Sequence, residues 1–315
     1  MRTTVSVVIP TFNRKDDLKE TLQSLSNQTS RDFEVIVADD GSTDGTEQMV
    51  KQLKVSYPIK HCWHENAGRS AARNMGIKNT EGRIILFIDD HIIVDRKLVE
   101  EHIKYHNRVK NTRICTIRGR VEYISRSYEA PKETKVIPDS KIKRPFGEQN
   151  PLIIFYTNNI SVTKEALDHV GGFDEDFKEY GFQDSELGYR LRKAGYRFKH
   201  NPNAVGYIFA PQIHSKAKYI KYREAGHSAV VFYRKHPVYA LFNVGVNPIN
   251  TLLYLIFSLN NNWWLRRTRK KLQEALTKQN KKQINKFEEQ QVFFYFIAGI
   301  HEKLFNKTIK ITEAN

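Results

Sequence analysis

The stretch that decides the fold is GRIILFIDDHIIVD, residues 82–95. An unbroken apolar run, IILFI, leads directly into Asp89, Asp90 and His91, and the chain then becomes apolar again. A short run of this kind predicts a strand buried on both faces of a parallel sheet. A solvated turn is the alternative for the two aspartates, but the buried strand and the neighbouring imidazole count against it. The stretch therefore predicts ionisable groups at a functional edge of the sheet.

Three similar apolar runs come before this one and alternate with helical patterns. They are VSVVIP (5–10), the strand that closes in a polar turn within FEVIVADDGSTDGT (33–46), and the strand and loop of IKHCWHENAG (59–68). Leu18, Leu22 and Leu25 have helical spacing between the first two. The alternation predicts an α/β sandwich with a mostly parallel central sheet. Ligands bind beyond the carboxyl ends of the strands in such sheets. The polar segments PTFN, DDGSTD, ENAGRS and DDH all follow predicted strands, so we expect them to share one crevice.

The rest of the chain has a less regular pattern. Residues 105–160 include a Lys/Pro-rich segment (130–151) that we interpret as a long loop, and a helix is predicted from about Asp184 to Ala194, ended by Gly195. Residues 239–259 carry no charge, but their unbroken apolar part, LLYLIFSL, is shorter than the ~20 residues of a spanning helix. Two tryptophans and a basic cluster follow at 260–271. We predict a helical appendage that packs on the preceding domain or contacts a membrane surface.

The charge and the cysteine content limit the partners and the compartment. Lys plus Arg number 51 and Asp plus Glu number 35, a formal charge of +16. This excess favours nucleotide phosphates, nucleic acid or an acidic membrane surface, without choosing among them. Cys62 and Cys115 are the only cysteines, which excludes a disulfide framework and a thiolate metal cluster and suits a reducing compartment. The first residues lack the pattern of a signal peptide, so we expect a cytoplasmic protein.

Two sets of polar residues have the chemistry for a nucleotide diphosphate. Asp89 and His91 are alternate residues, which project to one side of an extended chain, and a carboxylate with an imidazole suits Mn²⁺ better than Mg²⁺. Such an ion could bridge a diphosphate. Arg69 and Arg73 are four residues apart on one helical face and fit a diphosphate, or are merely solvated. Asp39 could accept a hydrogen bond from a base or ribose, and its segment could also be only a turn and helix cap.

Five segments together resemble family 2 glycosyltransferases of the GT-A fold. VSVVIPTFNR (5–14), VIVADDGSTDGT (35–46), NAGRSAARNMGI (66–77) and GRIILFIDDH (82–91) have the order and approximate spacing of that family. Residues 171–198 are similar to its acceptor-side motif, in the version shared with chondroitin-polymerase-like and galactosyltransferase-like enzymes. The resemblance covers about residues 4–235. It implies a GT-A nucleotide-sugar-binding sandwich at 1–238, with a nucleotide-binding half (1–104) and an acceptor-side half (105–238), followed by the helical appendage at 239–315.

On the nucleotide side, the resemblance assigns roles to the ends of the first two strands and to the following helix. Pro10, Thr11 and Asn13 would line the nucleotide base, and Asp39 would form a hydrogen bond with uracil. Arg73 would lie near the base or the diphosphate, with Arg69 on the same helical face.

The metal and acceptor positions follow from the later motifs. Asp89 and His91 match the outer positions of the family's Asp-x-Asp motif, with His replacing the second Asp, and the resemblance leaves open whether Asp90 or His91 is the main ligand. Asp184 stands at the position of the catalytic base, although the preceding residue is Gln183 where relatives usually have Glu. His214 stands where relatives place a further metal-binding histidine.

These positions imply a metal-dependent enzyme, with Mn²⁺ or Mg²⁺, that moves a sugar from a UDP-sugar to an acceptor hydroxyl, with inversion. The acceptor would be a glycan, a lipid-linked intermediate or a protein, in cell-surface polysaccharide or glycoconjugate synthesis, and the enzyme could lie at the inner face of the cell membrane. A dinucleotide oxidoreductase or a nucleotidyltransferase would need a Gly-rich loop after the first strand, and PTFNRKDD (10–17) has no glycine. A nucleic-acid binder would not gather four aspartates in one crevice, since carboxylates repel phosphate. A non-catalytic member of the same fold is the remaining alternative.

Overall fold

A computed structural model of the chain describes residues 3–108, 114–124, 137–138, 155–209, 216–237, 239, 262–278 and 281–305. Its strands and helices, in chain order, are β1 (Val5–Thr11), α1 (Lys15–Leu25), β2 (Phe33–Asp39), α2 (Thr46–Gln52), β3 (Ile59–Trp63), α3 (Arg69–Lys78), β4 (Ile84–Ile88), β5 (Ile92–Val94), α4 (Leu98–Arg108), β6 (Ile114–Ile124), β7 (Ile137–Pro138), β8 (Asn159–Thr163), α5 (Lys164–Val170), α6 (Gln183–Lys193), β9 (Arg197–Phe209), α7 (Lys216–Lys235), α8 (Asn262–Thr277) and α9 (Lys281–Phe305).

The strands form one mixed sheet whose order is β3-β2-β1-β4-β8-β6-β9-β5, with β7 paired to β6. The first four strands in this order are mutually parallel. β8 is antiparallel to both of its neighbours, β4 and β6, and β9 runs parallel to β6. This is the mixed α/β fold with a mostly parallel sheet that the sequence predicts. The register places Thr11 beside Asp39 at the ends of β1 and β2.

The apolar residues of the sheet divide between two cores, one on each face. Side chains on one face pack with α1 and α4, and those on the other face pack with α3, α5 and α6. All five residues of β4 are buried, as expected for a strand covered on both sides. Helix α3 lies unusually close to β1, because a Cβ atom added to Gly76 would lie only 2.5 Å from Val8 Cγ1. A residue larger than glycine at this position would displace the helix that carries Arg73.

The chain divides into two compact units. Among the described residues, the first unit holds the sheet with α1 to α6, and the second holds residues 179–182 and the helices from α7 onward. Within the second unit, Gly226 of α7 and Gly299 of α9 allow the two helices to approach backbone to backbone. His227 lies between the carboxylates of Glu179 and Glu302.

The predicted elements are confirmed where the structure describes them. The four predicted strands are β1 to β4, and the helix expected at Asp184 is α6, followed by Gly195 with a φ of +89°. Strands β6 and β9 carry no prediction from the sequence. The predicted loop at 130–151 lies outside the described residues except for β7, and the uncharged segment at 239–259 lies outside them except for Tyr239. No helix among the described residues is long and apolar enough to cross a membrane. The domain boundary at residue 238 stays a prediction.

Candidate active site

The loops that follow β1 and β2 are locked together beyond the carboxyl edge of the sheet. The Asn13 N–H donates to Ser42 Oγ at 2.9 Å, and Asn13 Oδ1 accepts from the Thr43 N–H at 2.8 Å. Asn13 has a φ of +51°, a left-handed conformation that asparagine adopts more readily than most residues. Pro10 and Thr11 are the last two residues of β1, directly before this loop. The predicted base-lining residues therefore lie along one rigid edge.

Asp39 is fully buried at the end of β2, and its carboxylate has two partners. The Ser42 N–H donates to Oδ1 at 2.8 Å, and His61 Nε2 donates to Oδ2 at 2.9 Å. Burial by itself raises the pKa of Asp39, but the hydrogen bonds from His61 and Ser42 together outweigh it and the pKa is lowered. Asp39 is thus held as a carboxylate, which can only accept hydrogen bonds.

Asp40 fixes the beginning of α3, a role that the sequence analysis missed. Its carboxylate accepts hydrogen bonds from the N–H groups of Ala67, at 2.9 Å, and Gly68, at 3.1 Å. These backbone groups precede α3, so the β2 loop determines where the helix starts. An aspartate that follows the strand-end aspartate, with a Gly-containing turn to the next helix, is the signal that could have indicated this contact.

The segment from Asp89 to His91 forms a turn and not an extended chain. β4 ends at Ile88, and the Ile92 N–H donates to the carbonyl oxygen of Asp89 at 3.2 Å. The expected alternation of side chains along an extended strand is therefore wrong here.

The middle aspartate of this turn is directed inward. Asp90 is buried and accepts hydrogen bonds from Thr11 Oγ1 at 3.0 Å and from Arg14 Nη1 at 3.3 Å, and His91 Nδ1 lies 3.0 Å from its Oδ1. Asp90 thus ties the turn to β1 and orients the imidazole of His91.

Arg73 links the turn to the acceptor-side segment. Its guanidinium is buried in α3, with Nη2 at 3.6 Å from Asp89 Oδ1 and Nη1 at 3.8 Å from Asp184 Oδ1. It lies over the ring of Phe173, 5.4 Å from the centroid. Within the described part of the chain, the buried Nε of Arg73 has no hydrogen-bond partner. Arg69, one turn earlier, is exposed. The structure therefore brings Asp89, Arg73 and Asp184 together, and Arg69 lies further out.

Asp184 is the second residue of α6 and is anchored by Thr157. The Thr157 N–H donates to Asp184 Oδ2 at 2.9 Å, and the Thr157 hydroxyl lies 3.0 Å from Oδ2 and 3.2 Å from Oδ1. The side chain is 24% exposed, so the carboxylate remains partly accessible to solvent. The less engaged oxygen, Oδ1, is the one that faces Arg73.

Asn74 attaches the acceptor-side segment to α3. Its Nδ2 donates to the carbonyl oxygen of Phe173 at 2.8 Å, and its Oδ1 accepts from the Phe173 N–H at the same distance. The adjacent Gly172 has a φ of +70°, which permits this close approach. The asparagine that follows Arg73 therefore helps to hold Phe173 against the guanidinium.

Two side chains have the chemistry to share a metal ion with a substrate. No group of three or more His, Cys, Asp or Glu side chains within the described ranges is arranged to hold one, and His214 lies outside them. Asp89 and His91 are 28% and 27% exposed, and His91 Nδ1 lies 3.0 Å from Asp90 Oδ1 and 3.1 Å from Arg14 Nη1. One or two side chains suffice where phosphate oxygens complete the coordination shell. The residues present thus fit an ion held jointly with a diphosphate.

The sequence matches two protein families. Residues 6–171 match "Glycosyl transferase family 2", and residues 141–215 match "N-terminal domain of galactosyltransferase". The second match includes Asp184, which the first does not reach.

Among curated relatives, the chain is 32% identical to the uncharacterized glycosyltransferase YfnE of Bacillus subtilis (strain 168), over 62% of this chain and 62% of the relative. It is 31% identical to validoxylamine A glucosyltransferase of Streptomyces hygroscopicus subsp. jinggangensis (strain 5008), over 74% of this chain and 61% of that protein. Chondroitin synthase of Escherichia coli is 30% identical over 66% of this chain and 35% of its own length. The chain thus spans about three fifths of the first two relatives.

Solved structures share the fold at lower identity. A mannosyltransferase from Pyrobaculum calidifontis, solved with GDP-Man and Mn²⁺, superposes with a TM-score of 0.60 at 19% identity, covering 98% of this chain and 88% of its own. S. aureus TarS 1–349 with UDP-GlcNAc gives a TM-score of 0.51 at 15% identity, covering 96% and 92%. At these identities the likeness establishes the GT-A type of fold alone.

Proposed function

Since the chain belongs to glycosyl transferase family 2 and is therefore a glycosyltransferase, we propose that its donor is a UDP-sugar, transferred with inversion to an acceptor hydroxyl, and that Asp184 is the general base. The observation that carries this proposal is the row Asp89–Arg73–Asp184, which joins the donor side to the acceptor side through one buried guanidinium. Both separations, 3.6 and 3.8 Å, are longer than a hydrogen bond, so the guanidinium can still donate to a ligand.

On the donor side, Asp39 is the residue that we assign to the nucleobase. Uracil presents an N–H donor, and a buried carboxylate whose hydrogen bonds keep it ionised is a strong acceptor for it. Pro10, Thr11 and Asn13 form the edge beside Asp39, where we place the ring and the ribose. The solved complex of TarS with UDP-GlcNAc supports a UDP-sugar, and the mannosyltransferase with GDP-Man is the reason to test other nucleotides.

We assign the metal ion, Mn²⁺ or Mg²⁺, to Asp89 and His91, with His214 as a further candidate ligand. When bound, such an ion supplies positive charge that stabilises a departing diphosphate. Asp90 is assigned the supporting role, because Thr11 and Arg14 occupy its oxygens and it orients the imidazole of His91. Support comes from the Mn²⁺ in the solved mannosyltransferase and from the partial exposure of the Asp89 and His91 side chains.

On the acceptor side, Asp184 takes the proton of the attacking hydroxyl. Thr157 donates to Oδ2, so Oδ1 is the oxygen that receives the proton. A general base must lie within hydrogen-bond reach of the hydroxyl that it activates, and the exposed quarter of this side chain allows such an approach. The acceptor hydroxyl then displaces the diphosphate from the anomeric carbon in one step, which inverts that centre. This route needs no second carboxylate as a nucleophile.

For the acceptor and the location in the cell, we propose broad classes only. We propose a glycan, lipid-linked or protein acceptor in cell-surface polysaccharide or glycoconjugate synthesis, in line with the similarity to chondroitin synthase. Contact with an anionic membrane surface at the inner face of the cell membrane is supported by Arg267, Lys270 and Lys271, which are exposed on α8. Helical residues of this kind are attracted to anionic lipid headgroups.

The test begins with thermal shifts of the full chain with UDP-, GDP- and other nucleotide sugars, each with and without Mn²⁺, followed by detection of free nucleotide with candidate acceptors. Asp184→Asn should keep donor binding and lose about 10²–10⁴-fold in kcat, because a general base contributes about that much. Asp168→Asn, in an exposed position of α5, is the matched control and should change neither. A normal kcat in Asp184→Asn would remove the base assignment, and a product with retained configuration would remove inversion.

A further inference from the structure

Thr157 is the only described residue that forms hydrogen bonds with Asp184, and both of its donors are used for that purpose. Its backbone N–H is 2.9 Å from Asp184 Oδ2, and its hydroxyl is 3.0 Å from the same oxygen. Thr157 is 2% exposed, so its two donors are buried. Sequence reasoning missed this residue because it lies 27 positions before Asp184.

We propose that Thr157 is the positioning residue of the base: it fixes the rotation of the Asp184 carboxylate and turns Oδ1 toward the acceptor. This inference rests on the proposed function of Asp184. Two donors hold one carboxylate oxygen in place, because Oδ2 cannot leave Thr157 without leaving two buried donors unpaired. The other oxygen is then the one that remains for the acceptor's proton.

Among the described residues, the charged groups that face Asp184 are few. Arg73, on α3, lies 3.8 Å from Oδ1, and Asp89 lies beyond that guanidinium. At 3.8 Å this guanidinium is too far from Oδ1 to hold the carboxylate by a hydrogen bond. A change in the donors at Thr157 should therefore appear directly in the orientation of Asp184 and in turnover.

The experiment compares Thr157→Val, which keeps the shape of the side chain and removes the hydroxyl, with Thr157→Ser, which keeps the hydroxyl. The readouts are kcat for nucleotide release and the donor affinity. In Thr157→Val kcat should fall about tenfold, the size expected for loss of one charge-assisted hydrogen bond that orients the base. Thr157→Ser should keep kcat, and donor affinity should be unchanged in both.

Thr80→Val is the matched control, because Thr80 is also buried but donates its hydroxyl to the carbonyl oxygen of Ile77. It should not lower kcat. If Thr157→Val does not fold, Thr157→Ala removes the same hydroxyl. An equal loss of kcat in Thr157→Ser, or a loss of donor affinity together with kcat, would show that Thr157 only supports the fold and would overturn the proposal. Asp184→Asn, measured in parallel, separates this failure from failure of the base assignment, because only the latter leaves Asp184→Asn fully active.

Discussion

Two polar clusters in the same sheet are built in opposite ways. At the carboxyl edge, Arg73 faces Asp89 and Asp184 at 3.6 and 3.8 Å, all three groups are charged, and the guanidinium makes no hydrogen bond within the described part of the chain. Between α4 and β8, hydrogen bonds of 2.8 to 3.0 Å connect four buried side chains, those of His102, His106, Ser161 and Asn159. The first cluster is charged and open, and the second is buried and closed.

The hydrogen bonds in the buried cluster determine which atoms carry protons. Asn159 donates through Nδ2 to two backbone carbonyl groups, so its Oδ1 is an acceptor and His102 Nε2 must donate to it. His102 Nδ1 then accepts from the Ser161 hydroxyl, and Ser161 Oγ accepts from His106 Nε2. Both imidazoles are neutral. Burial lowers the pKa of His102 to about 4 and that of His106 to about 3.

The difference indicates which cluster can still bind a ligand. A buried polar group in a finished fold normally has its partners, because an unpaired one costs free energy. The histidine cluster follows this rule and its role is structural. The arginine cluster departs from it, and its guanidinium can still take up phosphate or hydroxyl oxygens. Changes in the open cluster should therefore reduce turnover, and changes in the closed cluster should reduce stability.

The largest effect is expected for Arg73→Met. It leaves Asp89 and Asp184 without the cation between them, and kcat should fall by about 10²–10³-fold, as when one preorganised donor is removed from a charged site. The free energy of unfolding should change little, because no hydrogen bond is lost. Steady-state kinetics and urea unfolding measure the two quantities.

Arg190 supplies the matched control for that variant. It pairs with Glu186 and donates to the carbonyl oxygens of Val170 and Gly172, so it belongs to the closed type. Arg190→Met should therefore destabilise the protein while folded enzyme keeps its kcat. Strong destabilisation by Arg73→Met with normal turnover would reverse the assignment of the two arginines.

The next effect is expected for Ser161→Ala. It leaves His102 Nδ1 without a donor and His106 Nε2 without an acceptor, at a cost of about 2–3 kcal/mol in unfolding free energy. The kcat of the folded enzyme should not change. Ser56→Ala, an exposed serine, should cost less than about 0.5 kcal/mol. Equal effects of the two substitutions would show that the buried cluster is not closed as described.

The open cluster could be predicted from the sequence more fully than the closed one. Asp89, Arg73 and Asp184 each follow a pattern that local sequence displays: a strand end, a helix face and a helix start. The residues that bind the site aspartates follow no local pattern. Thr157 contacts Asp184 and His61 contacts Asp39 across 27 and 22 positions of sequence, and only the tertiary fold brings such residues together. The sequence pattern favoured an extended chain over a turn from Asp89 to His91, whereas β4 ends at Ile88, directly before the first polar residue.

The buried histidines were missed for a related reason. His102 and His106 are four residues apart on α4, on the face that packs against the sheet. A histidine on a buried face is not distinguished by sequence from one at the surface, since its partner, Ser161, lies 59 positions from His102 and 55 from His106.

The smallest effect is the pH dependence of stability that these histidines produce. Their pKa values in the folded protein, about 4 and about 3, lie below the ordinary value of 6.5 that they regain on unfolding. Between these values the unfolded chain binds more protons, so the free energy of unfolding falls as the pH falls below about 6.5 and is unaffected well above it. From pH 7 to pH 6 the two histidines together should lower the free energy of unfolding by about 1.4 kcal/mol.

Burial also lowers the pKa of His200, so this histidine changes stability in the same direction. Asp39 and Asp44, whose pKa values are also lowered, change the free energy of unfolding only below about pH 4. Urea unfolding at each pH measures the loss, and imidazole NMR signals identify its source. His169→Asn, at an exposed position, should keep the dependence. Stability that is flat from pH 7 to pH 5, or buried imidazoles that titrate near 6.5, would contradict the neutral, closed cluster.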